Sequence, residues 1–381
     1  MRLWIVLLSA VGVPALAPVA VACTAFHAVH GDVVLAGNNE DFFNPRTKVW
    51  FIPAQEGKYG RVYFGFDNFV PQGGMNEKGL FWDGFATAPR KVTRSADKPR
   101  YLGNLNDKVM AECATVAEVL AVFDKHNLDN MEGHQLMFGD ANGDSVIIEG
   151  DAIVRKKGRF QVITNFRQSL TPAGQETCER YQTAVRMLEH SDEVSIPVLR
   201  RILMAVHQEA DSPTLYSNIY DLQRRVVYLY HFHNFENVVV LDLAEELKKG
   251  KRELDLPALF PPTVAAEDFA RKKLRQLEEQ RNVKRATGVD PSLYNQYAGQ
   301  YQLSGGPLPG LIVTILRQGD GLYMEAPGVM RFELIPESTT TFFYASVDSF
   351  VKTTFIKDDQ GTITGFDGQV NDSKVSGRRV R

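Results

Sequence analysis

A chain of 381 residues, 44% hydrophobic and 23% charged, is long enough for two domains and apolar enough to bury a sizeable core. Its formal net charge of −3 offers no basic field to hold phosphates, so nucleic acid is excluded as an expected partner. Only three cysteines occur, Cys23, Cys113 and Cys178, which excludes a dense disulfide framework and leaves at least one thiol free or paired with another chain.

Residues 1–22 read as a secretory signal: Arg2 is a short basic start, Leu3 through Val13 an apolar stretch, and Ala20-Val21-Ala22 a small-residue cleavage site. Pro14 and Pro18 interrupt the apolar stretch, and no later segment approaches the length a bilayer needs. The expected mature protein is exported, periplasmic or secreted, without a spanning segment, and begins at Cys23.

From Thr24 to Phe43 two short strands flank a His30-Gly31-Asp32 turn, the second ending in Gly37-Asn38-Asn39-Glu40-Asp41. Further hairpins are expected around Gly74 to Trp82 and from Gln135 to Gly150, where Asp140-Ala141-Asn142-Gly143 makes the turn. Between them, Asn106 to His126 has helical periodicity and holds Cys113 as a small buried hydrophobe, although a Cys113 to Cys178 disulfide stays open. Beyond a strand ending at Thr164-Asn165 come helices at Glu176 to Glu189 and Ile196 to Gln208, then strands at Val226 to Phe232 and Val238 to Leu243. Strands and helices in separate runs with hairpin connections point to an α+β fold, with two antiparallel sheets between helical layers.

A composition shift near Lys248, with little sheet-like pattern, leads into a charged helical run from Ala265 to Arg285. From about Ser292 the chain is again strand-rich, suggesting a small all-β barrel or sandwich of about 90 residues. The expected division is 1–22 signal peptide, 23–260 main α+β domain, 261–290 helical charged linker and 291–381 β domain. The tail Gly377 to Arg381 reads as a frayed basic end.

A cysteine directly after a cleavage site has its own α-amine within reach of its thiol. With ordinary values of about 7.7–8.0 for the amine and about 8.5 for the thiol, the pair can act as base and nucleophile near neutral pH. The same position also approximates a lipoprotein processing site, where an acylated cysteine would tether the chain to a membrane and could not be a nucleophile.

The downstream residues favour catalysis. Cys23-Thr24 followed by Gly37-Asn38-Asn39-Glu40-Asp41 resembles the choloylglycine hydrolase family of N-terminal-nucleophile cysteine hydrolases, which includes penicillin V acylases and bile salt hydrolases. Asn76-Glu77-Lys78-Gly79-Leu80 looks like that family's Asn-Glu-Lys-Gly-Leu hairpin, Thr164-Asn165 like its strand-end asparagine, and Cys178-Glu179-Arg180-Tyr181 like its Ser-Ser-Arg-Phe element. The resemblance covers about Cys23 to Leu247 and implies a four-layer αββα sandwich. It implies that Asp41 bonds the nucleophile's amine or thiol, that Asn76 and Asn165 hold the tetrahedral intermediate, and that Arg180 favours the thiolate. Asn38 stands where the family usually has Arg, which removes a usual contact or activating charge.

Competing constellations are poor: there is no Gly-x-Ser-x-Gly elbow, phosphate loop or His-Glu-x-x-His helix. His231 and His233 would share a strand face, but as metal ligands they need partners the sequence does not indicate, so they read as ordinary strand residues. No cofactor or metal is expected. The expected activity is hydrolysis of a linear amide in a small-molecule N-acyl compound. A dipeptidase or acyltransferase on the same fold and a lipid-anchored ligand-binding protein are the alternatives, with homo-oligomerisation open.

Overall fold

The computed structural model describes residues 23–128, 131–209, 212–286, 289–305, 309–326, 330–345, 350–370 and 373–380; the expected signal segment lies outside them. In chain order the elements are β1 (Thr24–His30), β2 (Val33–Asp41), β3 (Thr47–Ile52), β4 (Arg61–Phe66), β5 (Pro71–Asn76), β6 (Phe81–Ala86), α1 (Leu105–Glu112) and α2 (Val116–Phe123). There follow β7 (His134–Gly139), β8 (Ser145–Ile148), β9 (Ile153–Arg155), β10 (Phe160–Ile163), α3 (Glu179–Glu189) and α4 (Ile196–Val206). Next are β11 (Thr214–Asp221), β12 (Val226–His231), β13 (Asn234–Asp242), α5 (Leu243–Lys248), β14 (Arg252–Asp255) and α6 (Val264–Lys284).

Two antiparallel sheets form the core, one in the order β10-β1-β2-β11-β12-β13 and the other β14-β3-β4-β5-β6-β7-β8-β9. Their facing sides meet through Ala25, Val34 and Ala36 on the first sheet and Val49, Phe64, Phe81 and Met137 on the second. The outer face of the first sheet, with Phe26, Leu35 and Ile219, packs on α3 and α4 through Leu188, Leu199 and Ile202. The outer face of the second packs Tyr63, Trp82 and Phe138 on α1 and α2 through Val109, Val116 and Phe123. Helix, sheet, sheet, helix is the resulting layer order, and the hydrophobic contact along each face supplies the main stabilisation.

Strand β2 is covered on both faces, so every residue from Val34 to Asp41 is buried. Gly37 is required there because a Cβ would come within 2.9 Å of the Phe26 ring. In the turn after β5, Gly79 has φ +80° and no room for a Cβ, which would meet the Leu222 carbonyl oxygen at 2.1 Å.

Three expectations need correction. The helix expected over Asn106 to His126 is two helices, because Thr115 and Glu118 form a capping box that starts α2 afresh: Thr115 Oγ1 accepts from Glu118 N and Glu118 Oε2 accepts from Thr115 N. The stretch after Lys248 is not devoid of sheet, since β14 adds to β3 as an edge strand; with only Leu254 apolar it carries little sheet pattern. The tail is not frayed. Gly299–Gly305 and Ser373–Arg379 are the first and last strands of a closed eight-stranded barrel and pair with each other, as Tyr301 with Arg379.

The Arg379 guanidinium donates to the carbonyls of Gln296, Ala298 and Ile363, and Val380 N donates to the Gln300 carbonyl. The barrel core is aromatic, with Tyr297, Tyr301, Phe342, Phe355 and Phe366 in mutual contact. All three cysteines are free thiols: Cys113 sits in the α1–α2 layer and Cys178 caps α3 on the opposite side of the sandwich, so no disulfide joins them. Among the described residues no helix is long and apolar enough to cross a membrane.

Candidate active site

Cys23 immediately precedes β1, and the pairing of Thr24 with Asn39 places it beside the polar end of β2. Asn38, Asn39, Glu40 and Asp41 are all buried there, so each needs partners inside the protein. Side chains alternate along a strand, and the four divide accordingly. Asn39 and Asp41 turn toward the helical layer, where Asn39 Nδ2 donates to the Leu203 carbonyl at the end of α4. Glu40 lies on the other face with the Cys23 thiol, whose sulfur is part of the inter-sheet core.

The Asp41 side is fully answered. Its Oδ1 accepts from the Thr214 hydroxyl and its Oδ2 from Gln208 Nε2 at 2.9 Å. Arg180, in the first turn of α3, brings a guanidinium nitrogen to 3.6 Å from Asp41 Oδ2. Burial still pushes the Asp41 carboxyl up to about 7, with the Thr214, Arg180 and Gln208 contacts opposing it. Arg180 also donates to the Cys23 carbonyl at 2.6 Å, to Thr24 Oγ1 at 2.7 Å and to Asn165 Oδ1 at 3.1 Å. One side chain thus gathers Cys23, Asp41 and Asn165 around itself. Asn165 Nδ2 donates once, to the Ala86 carbonyl at 3.0 Å, and its second amide hydrogen has no partner among the described residues.

The thiol side is poorly answered. Cys23 is 2% exposed, and burial, with Glu40, Asp41 and Asp83 adding to it, pushes the thiol well above its usual range, while the Asp41 backbone N–H opposes. Glu40 hydrogen-bonds the thiol and is itself pushed up by burial and by the Asp41 charge. Asp83 on β6, facing it from the second sheet, is also raised, by burial first and then by Glu40. Two like carboxyls enclosed together cannot both ionise cheaply, so the pair retains a proton at neutral pH. Glu40 Oε2, both Asp83 oxygens, Tyr216 OH and Asn38 Oδ1 have no hydrogen-bond partner among the described residues. Unpartnered buried polar atoms at this density, beside a thiol, mark a place built for polar chemistry rather than packing.

Of the five residues singled out in the sequence, four come together: Cys23, Asp41, Asn165 and Arg180. Asn76 stands apart. Its Nδ2 donates to the carbonyls of Met110 and Cys113, and its Oδ1 accepts from Lys78 N and Leu80 N. Both amide hydrogens are held by those two carbonyls, and with them Asn76 ties the hairpin after β5 to α1. Asn38 is buried between the sheets and brings no charge; the cation at the site is Arg180.

No family model matches the sequence, and no curated protein matches it. The chain is structurally similar to penicillin V acylase from Agrobacterium tumefaciens, at 21% identity and a TM-score of 0.48, covering 61% of this chain and 92% of that one. It is similar also to two variants of conjugated bile acid hydrolase from Clostridium perfringens. One is 17% identical, with a TM-score of 0.48, over 61% of this chain and 96% of that one. The other is 16% identical, with a TM-score of 0.45, over 63% and 97%. The resemblance read from the motifs at Cys23, Asn76 and Asn165 is to these two kinds of protein.

Sequence reasoning missed Glu40, Asp83, Thr214 and Gln208. Glu40 had a signal: it alternates with Asp41 on a strand beside Cys23, so one of the two acids had to share the thiol's face. Thr214 and Gln208 meet the site only because β11 pairs with β2, and Asp83 only because the two sheets stack, which no local pattern announces.

Proposed function

We propose that this chain is an exported amide hydrolase that cleaves the linear amide of an N-acyl compound through a thioester on Cys23. The observation that carries the reading is the Arg180 clasp, which draws Cys23, Thr24, Asn165 and Asp41 to one point from three separate segments of the chain.

Burial and the acids around it hold the Cys23 thiol protonated at rest. A base must therefore take its proton as the sulfur attacks, and the α-amine of a processed Cys23 is within reach. The sulfur adds to the amide carbonyl while its proton passes to the amine. The free N–H of Asn165, with a backbone N–H, receives the oxyanion, and Arg180 opposes the negative charge. Collapse breaks the C–N bond as the α-ammonium returns the proton to the departing amine. Water, deprotonated by the same amine, then opens the thioester and restores the thiol. Asp41 positions Arg180, and Glu40 positions the thiol. Residues 23–260 are proposed as the catalytic domain and 291–381 as an appended β domain, joined by the helical linker 261–290.

The test is turnover of N-acyl amino acids, bile conjugates, penicillins and acyl homoserine lactones by wild type and Cys23→Ala. The variant should fold and lose activity by more than about 10⁴-fold on whichever substrate the wild type cleaves. A variant as active as wild type eliminates the mechanism.

A further inference from the structure

A second group of chemistry-bearing side chains lies one residue away from the Asp41 contacts. His207 caps the end of α4, Glu209 follows it by two residues, and His233 sits in the turn between β12 and β13. The metal-ligating atoms of the three lie within 4.8 Å of one another. We propose that His207, Glu209 and His233 bind a divalent transition-metal ion of the zinc class, clipping the end of α4 to the β12–β13 turn.

The hydrogen bonding prepares both rings for this. His207 Nδ1 lies 2.5 Å from the Met204 carbonyl, which can only accept, so that nitrogen is a donor and Nε2, turned to Glu209, is the ring atom an ion would take. His233 bonds the Gln208 backbone through one ring nitrogen, while its Nε2 is buried with no partner among the described residues. A histidine that donates one ring N–H to a backbone carbonyl and presents the other nitrogen bare is the arrangement a metal ligand takes. The two rings stand 5.0 Å apart between centroids, with a 43° tilt.

Spacing fits the ion as well. His207 Nε2 and Glu209 Oε1 are 3.3 Å apart, the separation expected of two ligands about 2.0–2.1 Å from a tetrahedral zinc ion. Glu209's side chain is 75% exposed and free to swing, so the approach to His233 requires no change in the core. Two imidazoles and one carboxylate suit zinc-class ions, whereas calcium or magnesium would call for more oxygen ligands.

The turn is unusual in a way that serves His233. Phe232 and His233 both adopt positive φ, 46° and 61°, where hairpins favour asparagine or glycine. Phe232 is explained by its burial against Phe269. His233 gains no comparable burial, and the conformation it holds aims its ring at His207. Gln208, between two of the proposed ligands, is the residue whose amide donates to Asp41 and whose N–H donates to Thr214 Oγ1. An ion here would therefore fix the segment that steadies Asp41, although the binding itself does not depend on the proposed hydrolytic chemistry.

Isothermal titration of the chelator-stripped full chain with zinc chloride tests this, with calcium chloride as control and Cys23→Ala run in parallel. One zinc per chain should bind in wild type and equally in Cys23→Ala, with no calcium binding at that site. His233→Asn keeps a residue tolerant of positive φ and should weaken zinc binding by more than about tenfold, since even outer-shell losses around metals reach that size. Glu209→Gln, at an exposed position, should weaken it too and covers the case in which His233→Asn misfolds. No zinc binding to wild type, or binding unchanged in folded His233→Asn or in Glu209→Gln, overturns the proposal.

Discussion

Glu40 and Asp41 are neighbours in one strand, both acidic and both buried, yet their surroundings differ completely. Asp41 has a hydroxyl, an amide and a guanidinium around its two oxygens. Glu40 has a thiol, a second carboxyl opposite and an oxygen with no partner. The difference teaches that β2 separates framework from chemistry: its helix-side face is closed by hydrogen bonds that fix geometry, and its sheet-side face leaves polar groups available next to the sulfur. Asp41 reaches the sulfur through its backbone N–H, and its side chain works on Arg180.

Removing the clasp should break the framework side most severely. Arg180→Met leaves the Cys23 carbonyl, Thr24, Asn165 and Asp41 without their common partner and withdraws the local positive charge. We expect kcat/KM to fall by about 10²–10³-fold, the range seen when a stabilising donor is lost from a reaction centre. Arg180→Lys should recover little, because a single ammonium cannot reproduce the branched contacts. Steady-state kinetics beside a denaturation curve separates this from unfolding; activity near wild type would detach Arg180 from the site.

Asn76 should show the opposite pattern. Asn76→Ala deprives two buried carbonyls and two backbone N–H groups of their partner and should lower stability by about 3 kcal/mol. Its turnover per folded molecule should stay within about twofold of wild type, since both its amide hydrogens are held by the Met110 and Cys113 carbonyls. Urea denaturation and kcat on the same sample decide it, and a large fall in kcat without a fall in stability would restore Asn76 to the oxyanion role.

The thiol side is sharpened by pH. Glu40 is raised by burial from its ordinary 4.5 to about 8. A carboxyl raised in the folded state is comfortable only when protonated, so its stabilising contribution is complete below about 4.5 and is lost as pH rises toward about 8. Glu40→Gln should flatten that decline, seen as a denaturation midpoint that changes less between those limits than in wild type. An unchanged pH profile would mean that Glu40 ionises freely and is not enclosed with Asp83.

Much of the fold was legible because it rests on local pattern: the β1–β2 hairpin around His30-Gly31-Asp32, the hairpin at Gly79 and the barrel's alternating aromatics all announce themselves within a few residues. The capping box at Thr115 and Glu118 was equally local, and overlooking it merged two helices. What was not legible depends on pairing across the chain. Thr214 reaches Asp41 only because β11 lies beside β2, and Asp83 reaches Glu40 only because two sheets stack. Arg379 likewise gains its partners only when the last barrel strand closes on the first. The type of residue at the site was readable; the face to which each side chain turns was settled by packing.

The central claim is that Cys23 is a free N-terminal nucleophile, and the mass of the mature protein after brief reaction with a cleaved substrate tests it most directly. The account predicts a chain beginning at Cys23 that transiently carries one acyl group, released by hydroxylamine and lost in Cys23→Ala. A diacylglyceryl group on Cys23, or an acyl group that persists in Cys23→Ala, would contradict it.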